Sequence, residues 1–302
     1  MGIIFRIVYI SRPFICFGVP IHNSSFKSVL TFPNAKINIG LRITEKRPDG
    51  FHTLQSAFYP VNWTDALEII PAETFSFSSS GLPIPGSDPN LNLCVRAYNM
   101  LRADFYLPSV QIHLHKIIPI GAGLGGGSAD AAFALKSLNE RFTLGLTTGK
   151  LENYARQLGS DCAFFIENRP VYCIEKGDVF EEIGLDLSGY YVLLVYPNLA
   201  ISTAEAYAGV RPQQPETSLR EQLMAPVATW CDTVRNDFED SLFPKYPLLA
   251  RIKAEFYEAG AVYASMSGSG STVYGLFDAP PPIPNQFQNY RVWKGALQTP
   301  AH

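Results

Sequence analysis

A glycine-rich segment near the middle of the chain constrains the fold and the chemistry more than any other feature. It reads PIGAGLGGGSADAA over residues 119–132 and runs on into alanine-rich sequence. Glycines let a backbone approach an anion closely with its N–H groups turned inward, and a helix that follows adds the positive end of its dipole. The segment therefore predicts a phosphate-binding loop that leads into a helix over residues 129–139.

The loop and the turn after it supply the residues expected to contact the phosphates of a bound nucleotide. Ser128 can cap the helix and can also donate to a phosphate or hold a cation. The lysine of a GxxxxGK loop is absent, which excludes a Walker A loop. The expected phosphate contacts are Pro119, Gly121, Ala122, Gly123, Leu124, Gly125, Gly126, Gly127, Ser128 and Ala129.

A dinucleotide-binding loop is the main alternative for this segment. Residues 121–126 satisfy the pattern GxGxxG, and Glu140 follows at about the distance expected of a ribose-binding acid. In a dinucleotide fold that acid ends a second strand, whereas a predicted helix precedes Glu140. We therefore prefer a phosphate-binding loop of another kind to the loop of a dehydrogenase.

Composition limits the class of protein. The 302 residues favour two domains or one large α/β unit. The 24 Lys and Arg against 27 Asp and Glu give a formal net charge of -3, which argues against a nucleic-acid surface. Five cysteines without a CxxC pair predict free thiols in a reducing compartment, and hence a cytoplasmic protein.

Residues 1–30 differ in character from the rest. Arginines and prolines interrupt the apolar stretch over residues 3–19, so it makes a poor membrane span. We interpret residues 1–30 as an extension outside the folded domains. A targeting peptide is the alternative, and an organelle would then be the location.

Apolar periodicity predicts a mixture of strands and helices, and so an α+β protein. A turn at residues 48–50 joins two strands, and a buried strand at residues 190–196 opens a second domain. The stretch 73–90 is expected to be a loop or irregular hairpin, and the tail after Pro280 to be peripheral. Further strands are predicted at residues 66–71 and 110–116, and further helices at residues 93–103, 147–158 and 248–259.

Three segments in a fixed order carry a family resemblance. PNAKINIGL at residues 33–41, the glycine-rich loop and SMSGSGSTVYGLF at residues 265–277 together resemble the superfamily of galactokinase, homoserine kinase, mevalonate kinase and phosphomevalonate kinase, the GHMP kinases. The resemblance implies a two-lobed α+β fold, with a ribosomal protein S5 domain 2-like N-terminal lobe at residues 31–185. It also implies a ferredoxin-like C-terminal lobe at residues 186–302, and ATP and Mg2+ in the cleft between the lobes.

Two more segments narrow the resemblance. RPDGFHTL at residues 47–54 and LGSDCAFFI at residues 158–166 are similar to the diphosphocytidyl-methylerythritol kinase branch. That branch usually has Tyr where this chain has Phe51, and Val and Pro where it has Cys162 and Ala163. The resemblance implies phosphorylation of the 2-hydroxyl of a cytidyl sugar alcohol in the non-mevalonate isoprenoid route. It thus implies a small-molecule substrate, no nucleic-acid or membrane partner, and a monomer or homodimer.

The same resemblance assigns roles to residues. Asp161 is expected to accept or orient the proton of the attacking hydroxyl, and Lys36 to offset developing negative charge beside it. Phe51 would stack on the cytosine and His52 would hydrogen-bond its edge. The further expected contacts are Asn38, Thr203, Tyr207 and Gly268 with the acceptor, and Asn92 on the adenine side.

Two other functions remain open at this level. Another small-molecule kinase, such as homoserine kinase, would have no use for the base-reading pair Phe51 and His52. A catalytically silent nucleotide-binding protein would have no need of both Lys36 and Asp161. No metal cage is expected, because His113 and His115 alternate onto the solvent face of their strand without other ligands at a useful spacing.

Overall fold

A computed structural model describes residues 28–86 and 88–298. Most of the predicted extension over residues 1–30, with its suggested targeting role, lies outside the described residues. In the described part of the chain, every helix is too short or too polar to span a lipid bilayer. The assignment of residues 31–185 and 186–302 to two domains stays a prediction.

Twelve strands in the described residues form three four-stranded sheets. In chain order they are β1 (Val29–Thr31), β2 (Asn34–Lys46), β3 (His52–Thr64), β4 (Ala66–Pro71), β5 (Ser76–Gly81), β6 (Val110–Lys116), β7 (Val171–Ile174), β8 (Val179–Glu182), β9 (Tyr191–Tyr196), β10 (Tyr263–Met266), β11 (Val273–Phe277) and β12 (Arg291–Ala296).

The first sheet has the order β1-β4-β6-β5, and the second has the order β2-β3-β7-β8. The third has the order β10-β11-β9-β12 and is antiparallel throughout. The turn predicted at residues 48–50 joins β2 to β3, as expected. Mixed sheets and helices confirm the α+β class.

Nine α-helices cover the sheets in the described residues. They are α1 (Leu93–Asp104), α2 (Gly126–Arg141), α3 (Thr148–Leu158), α4 (Phe164–Glu167), α5 (Thr203–Ala208), α6 (Leu219–Met224), α7 (Trp230–Thr233), α8 (Phe238–Lys245) and α9 (Pro247–Glu258), with short 3-10 turns at Pro89–Leu91, Val227–Thr229 and Asn285–Phe287. The buried face of α2 is rich in alanine, and small side chains let it lie close to α1 and to strands of two sheets.

Strand β2 links the two halves of the molecule. Its Ile37 and Ile39 share one hydrophobic cluster with Val192 and Leu194 of β9. Farther along β2, Leu41 N donates to the Arg235 carbonyl oxygen at 2.8 Å, and the Leu41 carbonyl accepts from Asp237 N at 2.9 Å. The strand that carries the first sequence motif is therefore hydrogen-bonded to the C-terminal half.

Two predictions about elements are wrong. Residues 73–90 contain β5, which runs parallel to β6, although its sequence SFSSSG has little strand propensity. The tail after Pro280 contains β12, which pairs with β9 along its whole length. Both elements depend on hydrogen bonds to strands far away in the sequence, which local propensity does not report.

Candidate active site

A cleft of about 340 Å³ lies where the glycine-rich loop, β2 and the loop after β10 meet. Ten of the residues predicted from sequence line it. They are Lys36, Asn38, Gly121, Gly123, Gly125, Ser128, Asp161, Thr203, Tyr207 and Gly268. The fold thus brings together residues from the three sequence motifs and from the segment around Asp161.

Lys36 and Asp161 form an ion pair in this cleft. Lys36 Nζ lies 3.4 Å from Asp161 Oδ2 and also donates to Asn38 Oδ1. Lys36 and Asn38 are two residues apart on β2, a spacing that places side chains on one face of a strand. The side chain of Lys36 is 4% exposed and that of Asp161 is 28% exposed, so the carboxylate is the more accessible partner.

The glycine-rich loop packs directly against the loop after β10. Gly123 has φ of 78°, and a Cβ atom built on it would lie 2.0 Å from the Ser267 carbonyl oxygen. Ser267 Oγ donates to the Gly123 carbonyl at 2.8 Å, and Leu124 accepts from Lys36 N at 2.9 Å. These contacts place the two loops side by side at the cleft.

Helix α2 begins earlier than predicted, at Gly126 instead of Ala129, and its N-cap is Gly125 with φ of 68°. Ser128 is therefore not the cap but lies in the first turn, and its hydroxyl is not used to close the helix. The first N–H groups of a helix lack intrahelical acceptors, and here they adjoin the cleft. Such a cradle fits the phosphates of ATP.

Four residues of the predicted loop cannot offer a side-chain donor to a phosphate, and one of them, Pro119, has no backbone N–H to offer either. Their side chains are buried in the protein interior. They are Pro119, Ala122, Leu124 and Ala129. Their contact with a nucleotide stays a prediction.

The residues predicted to bind the cytosine lie in two places: His52 contacts Tyr207, and Phe51 contacts Lys176. The His52 ring stacks on the Tyr207 ring with centroids 4.9 Å apart at 24°. Burial lowers the pKa of His52 below its ordinary value and raises the pKa of Tyr207 to about 12. Phe51 is 58% exposed, and Lys176 Nζ lies 4.8 Å from its ring centroid. The roles of all three stay predictions.

Known proteins resemble this chain over most of its length. Models for the N-terminal domain of GHMP kinases and for their C-terminal domain match residues 92–168 and 221–290. The 4-diphosphocytidyl-2-C-methyl-D-erythritol kinase of Bacteroides thetaiotaomicron is 53% identical over 260 residues, which cover 85% of this chain and 94% of the relative. The chain belongs to the 4-diphosphocytidyl-2-C-methyl-D-erythritol kinase family.

Two further members agree with this assignment. The kinase of the same name from Parabacteroides distasonis is 47% identical over 271 residues, covering 89% of this chain and 100% of the relative. A crystal structure of a 4-(cytidine 5'-diphospho)-2C-methyl-D-erythritol kinase matches with a TM-score of 0.74 and 28% identity, over 88% of this chain and 98% of the other. The two-lobed GHMP kinase fold is thereby confirmed.

A second cavity of about 430 Å³ lies on the other side of the helix α2 N-terminus. Asn92 and Gly127 line it, together with apolar side chains such as Phe77 and Ile120. Asn92 Oδ1 accepts from Cys94 N at 2.9 Å and so caps α1. The expectation that Asn92 approaches the adenine side stays a prediction.

The sequence analysis did not predict a cluster of three buried charged residues beneath the glycine-rich loop. Lys116 Nζ donates to Asp130 Oδ2 at 2.8 Å and to Asp65, whose Oδ1 accepts from Ile118 N at 2.8 Å. Burial raises the pKa of Asp130 to about 7, against the opposing effect of Lys116. Burial alone would lower the pKa of Lys116, but the two carboxylates raise it.

Two residues beside Asp161 differ from the usual sequence of the 4-diphosphocytidyl-2-C-methyl-D-erythritol kinase family. Both lie in the protein interior. Cys162 and Ala163 are 0% and 1% exposed. Burial raises the pKa of the Cys162 thiol to about 11, so it is protonated at neutral pH. Both residues therefore act in packing behind the Asp161 carboxylate.

Proposed function

We propose that this chain transfers the γ-phosphate of ATP to the 2-hydroxyl of 4-diphosphocytidyl-2-C-methyl-D-erythritol. The products are ADP and the 2-phosphate, in the non-mevalonate route to isoprenoid precursors. The observation that carries the proposal is the Lys36 and Asp161 pair, 3.4 Å apart in a cleft lined by the glycine-rich loop. The family to which the chain belongs supports the same reaction.

The chain's own groups suit each part of phosphoryl transfer, which demands positioning and compensation of charge more than covalent chemistry. Asp161 Oδ2 would orient the attacking hydroxyl and take up its proton. The Lys36 ammonium would offset the negative charge that develops on the transferred group. Backbone N–H groups of the α2 N-terminus would hold the phosphates that leave as ADP.

We further propose that Mg2+ accompanies ATP. The described residues hold no cluster of three or more His, Cys, Asp or Glu side chains that could form a protein cage for a metal. Mg2+ commonly binds through substrate phosphates and one or two protein oxygens. Ser128 Oγ, which lines the cleft, is the protein oxygen that would serve here.

Recognition of the base would use the aromatic residues near the cleft. His52 is held against Tyr207, and Tyr207 packs edge-on against Phe238 with centroids 4.9 Å apart. A cytosine would stack on Phe51 or Tyr207 and hydrogen-bond to the neutral His52 imidazole. Asn38, Thr203 and Gly268 would contact the sugar alcohol.

The cellular compartment and the oligomeric state are also proposals. Thiols at Cys94, Cys162, Cys173 and Cys231 are free in the described residues, which supports a reducing compartment such as the cytoplasm. We propose that the protein is a monomer or a homodimer. Light scattering on the purified protein would distinguish the two.

ADP release is the direct test of the reaction. The protein would be assayed with ATP and Mg2+ on 4-diphosphocytidyl-2-C-methyl-D-erythritol, with homoserine as a parallel acceptor and Asp161→Ala as a control. We expect turnover on the cytidyl acceptor alone, lost in the variant. Turnover on homoserine instead, or ATP binding without turnover on either acceptor, would reject the proposal.

A further inference from the structure

Two turns meet beside the cleft and are tied to one another. The turn between β2 and β3 carries Arg47 and Asp49, and the turn between β7 and β8 carries Glu175 and Lys176. Arg47 pairs with Glu175, and Lys176 Nζ lies 3.6 Å from Asp49 Oδ2. The Glu175 carbonyl also accepts from Leu54 N at 2.8 Å. The Lys176 backbone is therefore anchored to the strand that begins next to Phe51.

The Lys176 side chain lines the same cleft as Lys36 and Asp161. Its ammonium lies 4.8 Å from the centroid of the Phe51 ring, and its side chain is 37% exposed. A solvated ammonium in this position is free to meet a ligand. Lys176 thus lines the cleft and also contacts Phe51, the residue expected to stack on the cytosine.

The charges of the cleft leave one cation available to an anionic acceptor. Among the residues that line it, Lys36 and Lys176 are the two cations that the structure describes. Lys36 is 4% exposed and is already paired with Asp161 and Asn38. Lys176 faces one carboxylate, that of Asp49, across an exposed pair of the kind that contributes little stability.

We propose that Lys176 binds the diphosphate of the acceptor. This inference rests on the proposed function, because that acceptor carries a diphosphate between its sugar alcohol and its cytosine. A sugar alcohol at Asp161 and a base at Phe51 and His52 would bring the diphosphate past the Lys176 ammonium. The diphosphate has more charge than Asp49 and would take its place as the partner of Lys176.

The opposing charge of Asp49 supplies a second, independent test. Asp49 Oδ1 accepts from Phe51 N at 3.1 Å, a hydrogen bond that an asparagine oxygen can also accept. Asp49→Asn therefore removes the competing carboxylate, together with its ion pair to Arg47 at 3.5 Å, but keeps the hydrogen bond from Phe51 N. Lys176→Gln and Asp49→Asn should change diphosphate affinity in opposite directions.

Calorimetry on the full chain, with a non-hydrolysable ATP analogue saturating the nucleotide site, would compare binding of CDP and of cytidine. We expect Lys176→Gln to weaken CDP binding about tenfold and cytidine binding less than about twofold, since hydrogen bonds to charged groups are of this strength. Lys176→Arg should restore most of the loss, and Asp49→Asn should tighten CDP binding. Lys150→Gln, a change at an exposed lysine of α3, is the matched control and should behave as the unmodified protein.

Three other results of these binding measurements would overturn the inference. Equal losses for CDP and cytidine in Lys176→Gln would show that the lysine acts only through Phe51, and would overturn the inference. An unchanged CDP affinity in that variant would overturn it as well. If neither CDP nor cytidine binds to the unmodified protein, the proposed cytidyl acceptor itself is wrong, and the inference falls with it.

Discussion

The Lys36 ammonium lies 3.4 Å from Asp161 Oδ2, although the two residues belong to β2 and to the turn after α3. The lysine is enclosed by Phe58, whose ring centroid lies 4.6 Å from Nζ, while the carboxylate faces the cleft. A fixed cation beside an accessible carboxylate suits a group that must orient a hydroxyl and accept its proton. The following predictions test this pair and its surroundings.

Removing either member of the pair should slow chemistry more than binding. We expect Asp161→Asn and Lys36→Met each to lower kcat by about 10²- to 10⁴-fold, because a positioned proton acceptor and a charge at the transferred group each contribute on this scale. The KM for ATP should change little, since the glycine-rich loop is intact. Steady-state ADP release measures both constants, and Asp278→Asn, at an exposed carboxylate, is the control. A kcat within about threefold of normal would contradict the assigned roles.

Contact between the two loops should make Gly123 intolerant of a side chain. A Cβ at Gly123 would lie 2.0 Å from the Ser267 carbonyl, whereas a Cβ at Gly127 would meet nothing within 4 Å. We expect Gly123→Ala to lower the free energy of unfolding by about 2 kcal/mol or more, through overlap and strain at positive φ. Gly127→Ala should be neutral or stabilise α2 by about 0.5 kcal/mol. Urea unfolding measures both, and equal effects would contradict the packing described.

Stacking at Tyr207 should matter more than its hydroxyl group. We expect Tyr207→Ala to raise the KM for the cytidyl acceptor about tenfold or more, because base stacking on an aromatic ring contributes about 1–3 kcal/mol. Tyr207→Phe keeps the ring against His52 and should leave the KM within about twofold. Acceptor titrations at saturating ATP give both values. Similar KM values for Tyr207→Ala and the unmodified protein would place the cytosine elsewhere.

Asp130 should make stability depend on pH. Its pKa in the folded protein is raised by burial to about 7, from an ordinary value of 3.8. A carboxyl group with a raised folded pKa stabilises the fold fully below its unfolded pKa, and that contribution is lost as the pH rises through 7. The unmodified protein should therefore lose stability relative to Asp130→Asn between pH 4 and pH 8.

We expect this relative loss to be on the order of 4 kcal/mol, because raising the pKa of Asp130 from 3.8 to about 7, a rise that already includes the opposing effect of Lys116, disfavours the ionised form by about that much. Asp130→Asn keeps the shape of the side chain but cannot titrate. Urea unfolding of both proteins at several pH values from 4 to 8 measures the difference. A constant difference across that range would show that Asp130 does not change its protonation there.

Much of the fold could be predicted because the local pattern of hydrophobic residues agrees with the strand pairing in the folded chain. The alternation of residues 110–116 gave both the strand β6 and its buried residues Val110, Ile112 and Leu114. The same alternation turns Lys116 inward, a signal of the buried charged group that the sequence contained but that we did not use. The serine-rich β5 could not be predicted, because only its pairing with β6 makes it a strand.

The sequence predicted which residues form the candidate site, but it did not predict how they are arranged in space. Order and spacing of the motifs indicated that Lys36, Asp161 and the glycines belong together. No local pattern indicated that Gly125 ends the loop, because glycines at residues 126 and 127 have poor helix propensity and yet begin α2. The position of Lys176 depends on two turns that are far apart in sequence and meet only in the folded chain.

The hydrogen bonds between β2 and residues 235–237 limit how the enzyme can move. Leu41 bonds to Arg235 and Asp237, and the Tyr274 hydroxyl donates to the Asn38 carbonyl at 2.9 Å. The strand that carries Lys36 is thus held by both lobes, and a hinge that opened the lobes would break the floor of the cleft. We therefore expect the acceptor to enter and the product to leave without a hinge opening between the lobes.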